Sequence, residues 1–413
     1  MSSRALRSEP AKLPRNSFLP YGRQVIEDDD IAAVAEAMRG DLLTTGPYVA
    51  RFEAALCRVV GAKHAAVCAN GTAALHMAAR ALDLGPGTKV IVPSITFLAT
   101  ASAPHMNGAD IVFADVDPET GLMRPEDLEA ALERAGHADA VFNVHLNGQC
   151  GAIEEIARIA RGHGAKIVDD SCHAIGTGYV ASDGQVSQIG SNAFCDLSVF
   201  SFHPVKSIAM GEGGAVTSND PDLAKRLVLA RNHGMTRDPA QFQNADDAFD
   251  TDGTPNPWYY ELHEPEFNWR ANDIQCALGL SQLGKLGRFV ARRRSIAAAY
   301  DTLLAPFAPL IRPLARTRPS LPAWHLYVVR IDFARAGISR AHAMRALAER
   351  GIGTQVHYFP VHRQPYYARR FETPKLPGAE RYYERALSLP LSAAMTSDDA
   401  QRVVDALTKV LGF

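Results

Sequence analysis

SVFSFHPVKSIAMGEGG, residues 198–214, is mostly apolar or small and holds one lysine, Lys206, near its centre. An unpaired ammonium in apolar surroundings is costly, and burial drives a lysine toward its neutral amine. A neutral amine is the nucleophile that forms a Schiff base with an aldehyde cofactor or a carbonyl substrate. A lysine taken at random is far more often a solvated loop residue; here the flanking residues reverse those odds. Gly211, Gly213 and Gly214 follow, and glycine lets backbone turn tightly and approach a flat ligand. Lys206 is a candidate for covalent catalysis, provided the chain also supplies a phosphate cradle and an acid for a cofactor ring.

At 413 residues the chain has room for two domains, or one large α/β domain with an appendage. Its 47% hydrophobic and 21% charged content is ordinary for a globular protein. A net charge of -2 gives no global basic field for nucleic acid, and no apolar run reaches the ~18 residues that span a membrane. Cys57, Cys68, Cys150, Cys172, Cys195 and Cys276 show neither CxxC spacing nor a small-domain framework, so they read as reduced thiols of a cytoplasmic protein. The polar start MSSRALRSEPAKLPRN has no apolar signal core, and residues 1–20 read as a flexible tail.

Two helices come first, from Asp28 to Arg39 and from Gly46-Pro47 to Val60. Strands then alternate with helices: strands at 64–69, 89–93, 109–113, 138–146 and 165–170, helices at 72–82 and 125–135 among those between them. Such βαβ alternation predicts a mostly parallel sheet covered by helices, with the site beyond the carboxyl ends of its strands. Residues 236–257 (TRDPAQFQNADDAFDTDGTPNP) break the pattern as a polar, acidic excursion, either a lid or a disordered insertion. Ile274 to Ala299 reads as helix interrupted near Gly284 or Gly287. Beyond it, HLYVVRID and TQVHYFPVH read as strands, and SDDAQRVVDALTKVL as a helix capped by Ser397. The division expected is a large domain over 21–289 and a small α+β domain over 290–413.

A phosphate is best held at the N-terminus of a helix that follows a strand. CANGTAAL (68–75) offers that through Gly71 and Thr72, although NGT is equally a good turn and cap; Ser201 adds a hydroxyl. A pyridine nitrogen stays protonated beside a carboxylate, which makes the ring an electron sink. Asp169 and Asp170 end an apolar strand where such a carboxylate belongs, or simply begin a turn. His173 follows at bonding range in sequence, and Phe97 could stack on the ring or belong to the core.

With these residues in place, the chain resembles the sugar-nucleotide aminotransferases of the DegT/StrS type, from about Tyr21 to the C-terminus. The motifs are LTTGP (43–47), NGTAALH (70–76), PSITFLAT (93–100), FADVDPET (113–120), VDDSCHAIG (168–176), FSFHPVKS…GEGGAVT (200–217), FNWRANDIQCALGLSQL (267–283), HLYVVRID (325–332) and QVHYFPVH (355–362). The resemblance implies an α/β, PLP-dependent transferase type I (aspartate aminotransferase-like) fold, with a seven-stranded mixed sheet and a small C-terminal α+β domain. It implies that Lys206 carries pyridoxal phosphate and shuttles the proton, and that Asp170, three residues before His173, pairs with the ring nitrogen. Phe97 matches the stacking aromatic, and Gly71, Thr72 and Ser201 match phosphate contacts. Asn268 and Arg270, in FNWR, would complete the phosphate site of a partner subunit in a homodimer. Three departures stand out: AND at Ala271 to Asp273, Ala209-Met210 after the lysine, and the long 236–257 excursion.

FSFHPVK, ALGLSQL and QVHYFPVH look most like the branch that makes UDP-4-amino-4,6-dideoxy-N-acetyl-β-L-altrosamine for pseudaminic acid. The substrates implied are L-glutamate and a UDP-linked 4-keto-6-deoxy sugar, with no nucleic acid or membrane partner. Tyr21, Arg23, Arg237, His325 and Tyr327 are the candidates for substrate contact; His325, Tyr327, His357 and His362 could equally be structural. A GDP- or dTDP-linked sugar is the rival within the family. A 3-dehydratase of this fold replaces the lysine with histidine, and this chain keeps it. A non-catalytic regulator would be colourless, and a dinucleotide oxidoreductase would need a GxGxxG that NGTAAL does not provide.

Overall fold

Seven short strands form the central sheet of the computed structural model, which describes residues 18–371 and 374–413. They are β1 (His64–Cys68), β2 (Lys89–Pro93), β3 (Asp110–Ala114), β4 (Ala140–Val144), β5 (Lys166–Asp170), β6 (Leu197–Ser201) and β7 (Gly214–Ser218). Their spatial order is β1-β7-β6-β5-β4-β2-β3. β7 alone runs against the rest, paired with β1 on one side and β6 on the other. The others pair in parallel, which requires long crossovers. Helices Gly71–Ala81, Ala99–Met106, Pro125–Ala135 and Ile153–Gly162 supply those crossovers and cover the sheet. Burial from both sides explains why the strands read as apolar runs rather than alternating ones; all five residues of β4 are buried.

The expected break in the long helical stretch falls at Gly284 and Lys285, between Asp273–Leu283 and Leu286–Leu304. The second of these runs unbroken through the expected 289/290 division. A second core gathers Ile296, Tyr300, Val329, Leu347, Leu387, Val403 and Leu407 under an antiparallel sheet of Ile311–Pro313, Tyr327–Ile331 and Ala386–Leu389. Val328 and Tyr382 instead join the core of the central sheet, so apolar packing is continuous between the two parts.

TQVHYFPVH is not a strand: Gln355 makes one bridge to Ser388, and the chain then turns irregularly past Pro360. Thr396, not Ser397, caps the last helix, accepting from Asp399 N at 3.2 Å while Asp399 accepts from Thr396 N at 2.8 Å. The tail expected over 1–20 lies outside the described residues up to 17, but Leu19 is buried and bonded between Gly351 and Gly353. The 236–257 excursion folds: Met235–Thr236 pairs with Glu261–Leu262, and the Glu261 carboxylate accepts from Gln243 N, Asn244 N and Tyr259 Oη. A small sheet of Ser320–Leu321, Gly178–Val180 and Val186–Gln188 had no signal in the sequence pattern.

Candidate active site

The carboxyl ends of β1, β2, β4, β5 and β6 open on one side of the sheet, at a cavity of about 660 Å³ roofed by residues 355–361. Lys206 lies in a tight turn after β6, where its N–H bonds His203 O at 2.8 Å and Met210 N bonds Phe202 O at 2.9 Å. Phe202, Ile208 and Met210 are buried and anchor that turn, and the half-buried Lys206 side chain lines the cavity. Burial pulls its amine below the usual lysine range, opposed in part by Cys172 and Asp170.

Asp170 lines the same cavity. Its carboxylate is fixed by Thr100 Oγ1, which donates to Oδ2 at 2.7 Å, and by Cys172 N, which donates to Oδ1 at 3.1 Å. Strand alternation sends Asp169 to the opposite face, where its Oδ2 lies 3.1 Å from His145 Nε2 and Asn143 donates to Oδ1 at 3.2 Å. Burial pushes the Asp169 carboxyl up, but His145, Asn143 and Cys195 together bring it below the ordinary range.

Helix Gly71–Ala81 starts where β1 ends, capped by Asn70, whose side chain accepts from Ala73 N at 2.9 Å. Its first N–H groups have no intrahelical acceptor and carry the positive end of the helix dipole. A Cβ on Gly71 would sit 2.9 Å from Ser201 Cβ, and one on Gly214 would sit 2.2 Å from Asn70 O. Backbone, helix terminus and Ser201 hydroxyl are thus packed into one cradle, which fits a phosphate.

Four imidazoles line the cavity, and three of them, those of His173, His325 and His357, are buried. His173 Nδ1 accepts from Asn147 N at 3.3 Å, its Nε2 lies 3.1 Å from Tyr358 Oη, and its ring centre is 4.4 Å from that of His325. Burial, with the charge of Lys206, holds His173 and His325 well below the usual imidazole range and His357 at about 3. Phe97, half-exposed, faces the cavity 6.0 Å from the Tyr358 ring centre. A flat aldehyde with a ring nitrogen and a phosphate matches this set: amine, fixed carboxylate, aromatic wall and cradle.

Gly71, Thr72, Phe97, Asp170, His173, Ser201, Lys206, Tyr21 and His325 all line this one cavity, and five other sequence candidates do not. Tyr327 shares a strand face with Val329 and Ile331 in the second core; it stacks on Tyr300 and donates to Asp301 at 2.7 Å. It is structural in this chain. Arg23 adjoins a small void behind Lys206, and Arg237 is exposed over the Tyr260 ring. Asn268 is exposed and pairs with Asn232; Arg270 pairs with Cys68 and donates to Asn232 Oδ1. Both lie outside this chain's own cavity. Asp273 of the AND departure is buried and caps helix Pro47–Val60, accepting from Gly46 N at 2.8 Å and Tyr48 N at 2.9 Å. Thr100, Asn147 and Tyr358 carry no sequence signal that points to the site: Tyr358 lies in a segment with the composition of a strand, and no local pattern marks the other two.

The fold is that of a pyridoxal phosphate-dependent transferase of the aspartate aminotransferase type. The chain belongs to the DegT/DnrJ/EryC1/StrS aminotransferase family, whose model matches residues 24–408. It is 37% identical over 400 residues to the spore coat polysaccharide biosynthesis protein SpsC of Bacillus subtilis, covering 96% of this chain and 98% of that one. Helicobacter pylori PseC, an aminotransferase involved in the biosynthesis of pseudoaminic acid, superposes with a TM-score of 0.85 at 29% identity, over 96% of this chain and 99% of that one. Spr1654 of Streptococcus pneumoniae, solved in PLP and PMP forms, gives a TM-score of 0.82 at 26% identity, over 95% and 98% of the two chains. The protein is therefore a sugar aminotransferase of this family.

Proposed function

We propose that the enzyme moves an amino group from L-glutamate to C4 of a UDP-linked 4-keto-6-deoxy-N-acetyl-hexosamine, giving UDP-4-amino-4,6-dideoxy-N-acetyl-β-L-altrosamine. The observation that carries the reaction class is the joint presence of Lys206 and Asp170 in one cavity beside the Gly71–Ser201 cradle. Likeness to PseC supports the sugar, and the QVHYFPVH segment, whose sequence resembles that branch, lies over the cavity.

When bound, pyridoxal phosphate supplies an aldehyde and an electron sink for charge developing at the substrate carbon. Lys206 would hold the cofactor and, with its amine free, would take the proton from Cα of glutamate. Asp170, immobilised by Thr100 and the Cys172 amide, keeps the ring nitrogen protonated. Gly71, Thr72 and Ser201 bind the phosphate, Phe97 stacks on the ring, and His173 hydrogen-bonds beside it. In the second half-reaction the same amine would deliver a proton to C4 of the sugar. Tyr21 and His325 line the space left for the sugar. Asn268 and Arg270 complete the phosphate site of a partner subunit in a cytoplasmic homodimer.

A second reading is the same chemistry on a GDP- or dTDP-linked 4-keto-sugar: SpsC, the more identical relative, is described by spore coat polysaccharide biosynthesis and not by pseudoaminic acid. Mass spectrometry of the product separates the two. The purified enzyme receives L-glutamate with enzymatically generated UDP-, GDP- or dTDP-4-keto-6-deoxy sugars. Amination of the UDP sugar alone supports the first reading, and exclusive amination of another nucleotide sugar overturns it.

A further inference from the structure

Arg293, in helix Leu286–Leu304, is the largest fully buried side chain among the described residues, at 1% exposure, and no described carboxylate pairs with it. Its guanidinium donates to four main-chain carbonyls instead. Nη1 reaches Trp324 O at 3.3 Å, His325 O at 3.1 Å and Leu391 O at 3.2 Å, and Nη2 reaches Lys206 O at 3.3 Å. Nε has no partner. A buried cation without an acid is expensive, and a fork with one donor unused is not arranged for its own satisfaction. What it does achieve is a connection between segments that are far apart in sequence.

One of those carbonyls belongs to the cofactor lysine itself, and two belong to the segment that brings His325 to the cavity. Trp324 holds a left-handed conformation (φ 50), with the Arg316 guanidinium 4.0 Å above its ring, and His325 N donates to Asn147 O at 2.9 Å. The guanidinium reaches four carbonyls of three segments from two nitrogens held apart in one plane, whereas an ammonium presents its three donors from a single atom and an amide has two. Arg293 also adds to the positive potential that keeps His325 neutral.

We propose that Arg293 is a positioning residue for Lys206: it ties the main chain of the lysine turn to the Trp324–His325 and Leu391 segments, so that the amine is presented to the cavity from a fixed base. This rests on Lys206 being the lysine that holds the cofactor. Its surroundings are Asp170 and Cys172 from β5 and the loop after it, the same loop's His173, and His325 and His357 from the small-domain side. Without the clasp, the turn loosens, water reaches the amine, and its depressed affinity for protons relaxes upward.

The experiment compares wild-type holoenzyme with Arg293→Met and Arg293→Lys. Borohydride reduction and peptide mapping first locate the cofactor; labelling at a residue other than Lys206 overturns the reading on which the proposal rests. With Lys206 labelled, three quantities are read: the pH midpoint of the visible absorbance, Tm, and kcat against KM for L-glutamate. The expected result is a midpoint raised by about one pH unit in Arg293→Met, with kcat reduced about tenfold and KM within about twofold. Arg293→Lys, which keeps the charge but not the fork, shows the kcat loss as well. A lower Tm with an unchanged midpoint and unchanged kcat in the loaded fraction overturns the proposal and leaves Arg293 a purely structural clasp. If Arg293→Met does not fold, the kcat and KM of Arg293→Lys decide by the same criteria.

Discussion

Asp169 and Asp170 are adjacent on β5, yet their carboxylates occupy opposite faces of the sheet. Asp170 is fixed in the cavity by Thr100 and the Cys172 amide, and Asp169 lies against His145 and Asn143. Two like residues, one peptide bond apart, are thereby given different surroundings, and under the proposed function Asp170 supports the cofactor while Asp169 supports the fold. Asp170→Asn should lower kcat by about 100-fold and alter the cofactor absorbance. Asp169→Asn should leave the absorbance unchanged and reduce Tm. Because the folded Asp169 carboxyl is held below its usual range, its stabilisation is present above about pH 4 and fades as pH falls further. The Tm loss in Asp169→Asn should therefore be seen at neutral pH and shrink in acid.

Lys206→Ala should reduce transamination by at least about 100-fold. It should also abolish the visible absorbance that borohydride removes from the wild type. Tm of the cofactor-free protein should hold or rise, because a desolvated amine is removed from the cavity wall.

Gly71→Ala sets two effects against each other. Alanine favours the helix that begins there by up to ~1 kcal/mol, but its Cβ would lie 2.9 Å from Ser201 Cβ. Crowding in the cradle should win where a phosphate must enter. The expected outcome is a Kd for pyridoxal phosphate raised about tenfold or more, measured by fluorescence titration, with Tm of the cofactor-free chain little changed.

The imidazoles around Lys206 predict acid sensitivity. His357 is held at about 3 against its usual 6.5, and burial also lowers His173 and His325. The unfolded chain takes up these protons first, so the stability they represent is complete above about pH 6.5 and is lost as pH falls toward 3. For His357 the slope is up to ~1.4 kcal/mol per pH unit in that window, and His173 and His325 act in the same direction. His357→Asn should flatten the acid limb of a Tm-against-pH curve while leaving Tm at pH 8 within a few degrees, lowered by the lost bond to Ser388.

Asn268 offers a test of the shared site. Asn268→Ala and Lys206→Ala homodimers should each be nearly inactive, and mixing them under exchange should restore activity, because one site in the hybrid has both residues. Absence of recovery in verified hybrids removes Asn268 from the partner's site.

Much of the fold was legible because each βα unit is encoded locally. β2 and helix Pro125–Ala135 fall where apolar runs, a proline at the first helical position and glycine turns put them. The failures share a cause. QVHYFPVH has the composition of a strand, but its backbone breaks from the sheet after one bridge and lays His357 and Tyr358 over the cavity. Tyr327 was grouped with His325 by sequence proximity, while strand alternation turned it into the second core.

The sequence alone determined the parallel α/β plan, the lysine with its apolar flanks, the pair of acids at a strand end and the glycine that begins a helix. Local periodicity and residue chemistry carry that information, since each depends on neighbours a few positions away. Tertiary structure decided which acid meets Lys206, which histidines surround it, and that Arg293 reaches its carbonyl from 87 positions along the chain. Those contacts depend on how separately formed elements pack, and no pattern within one element specifies its distant partner.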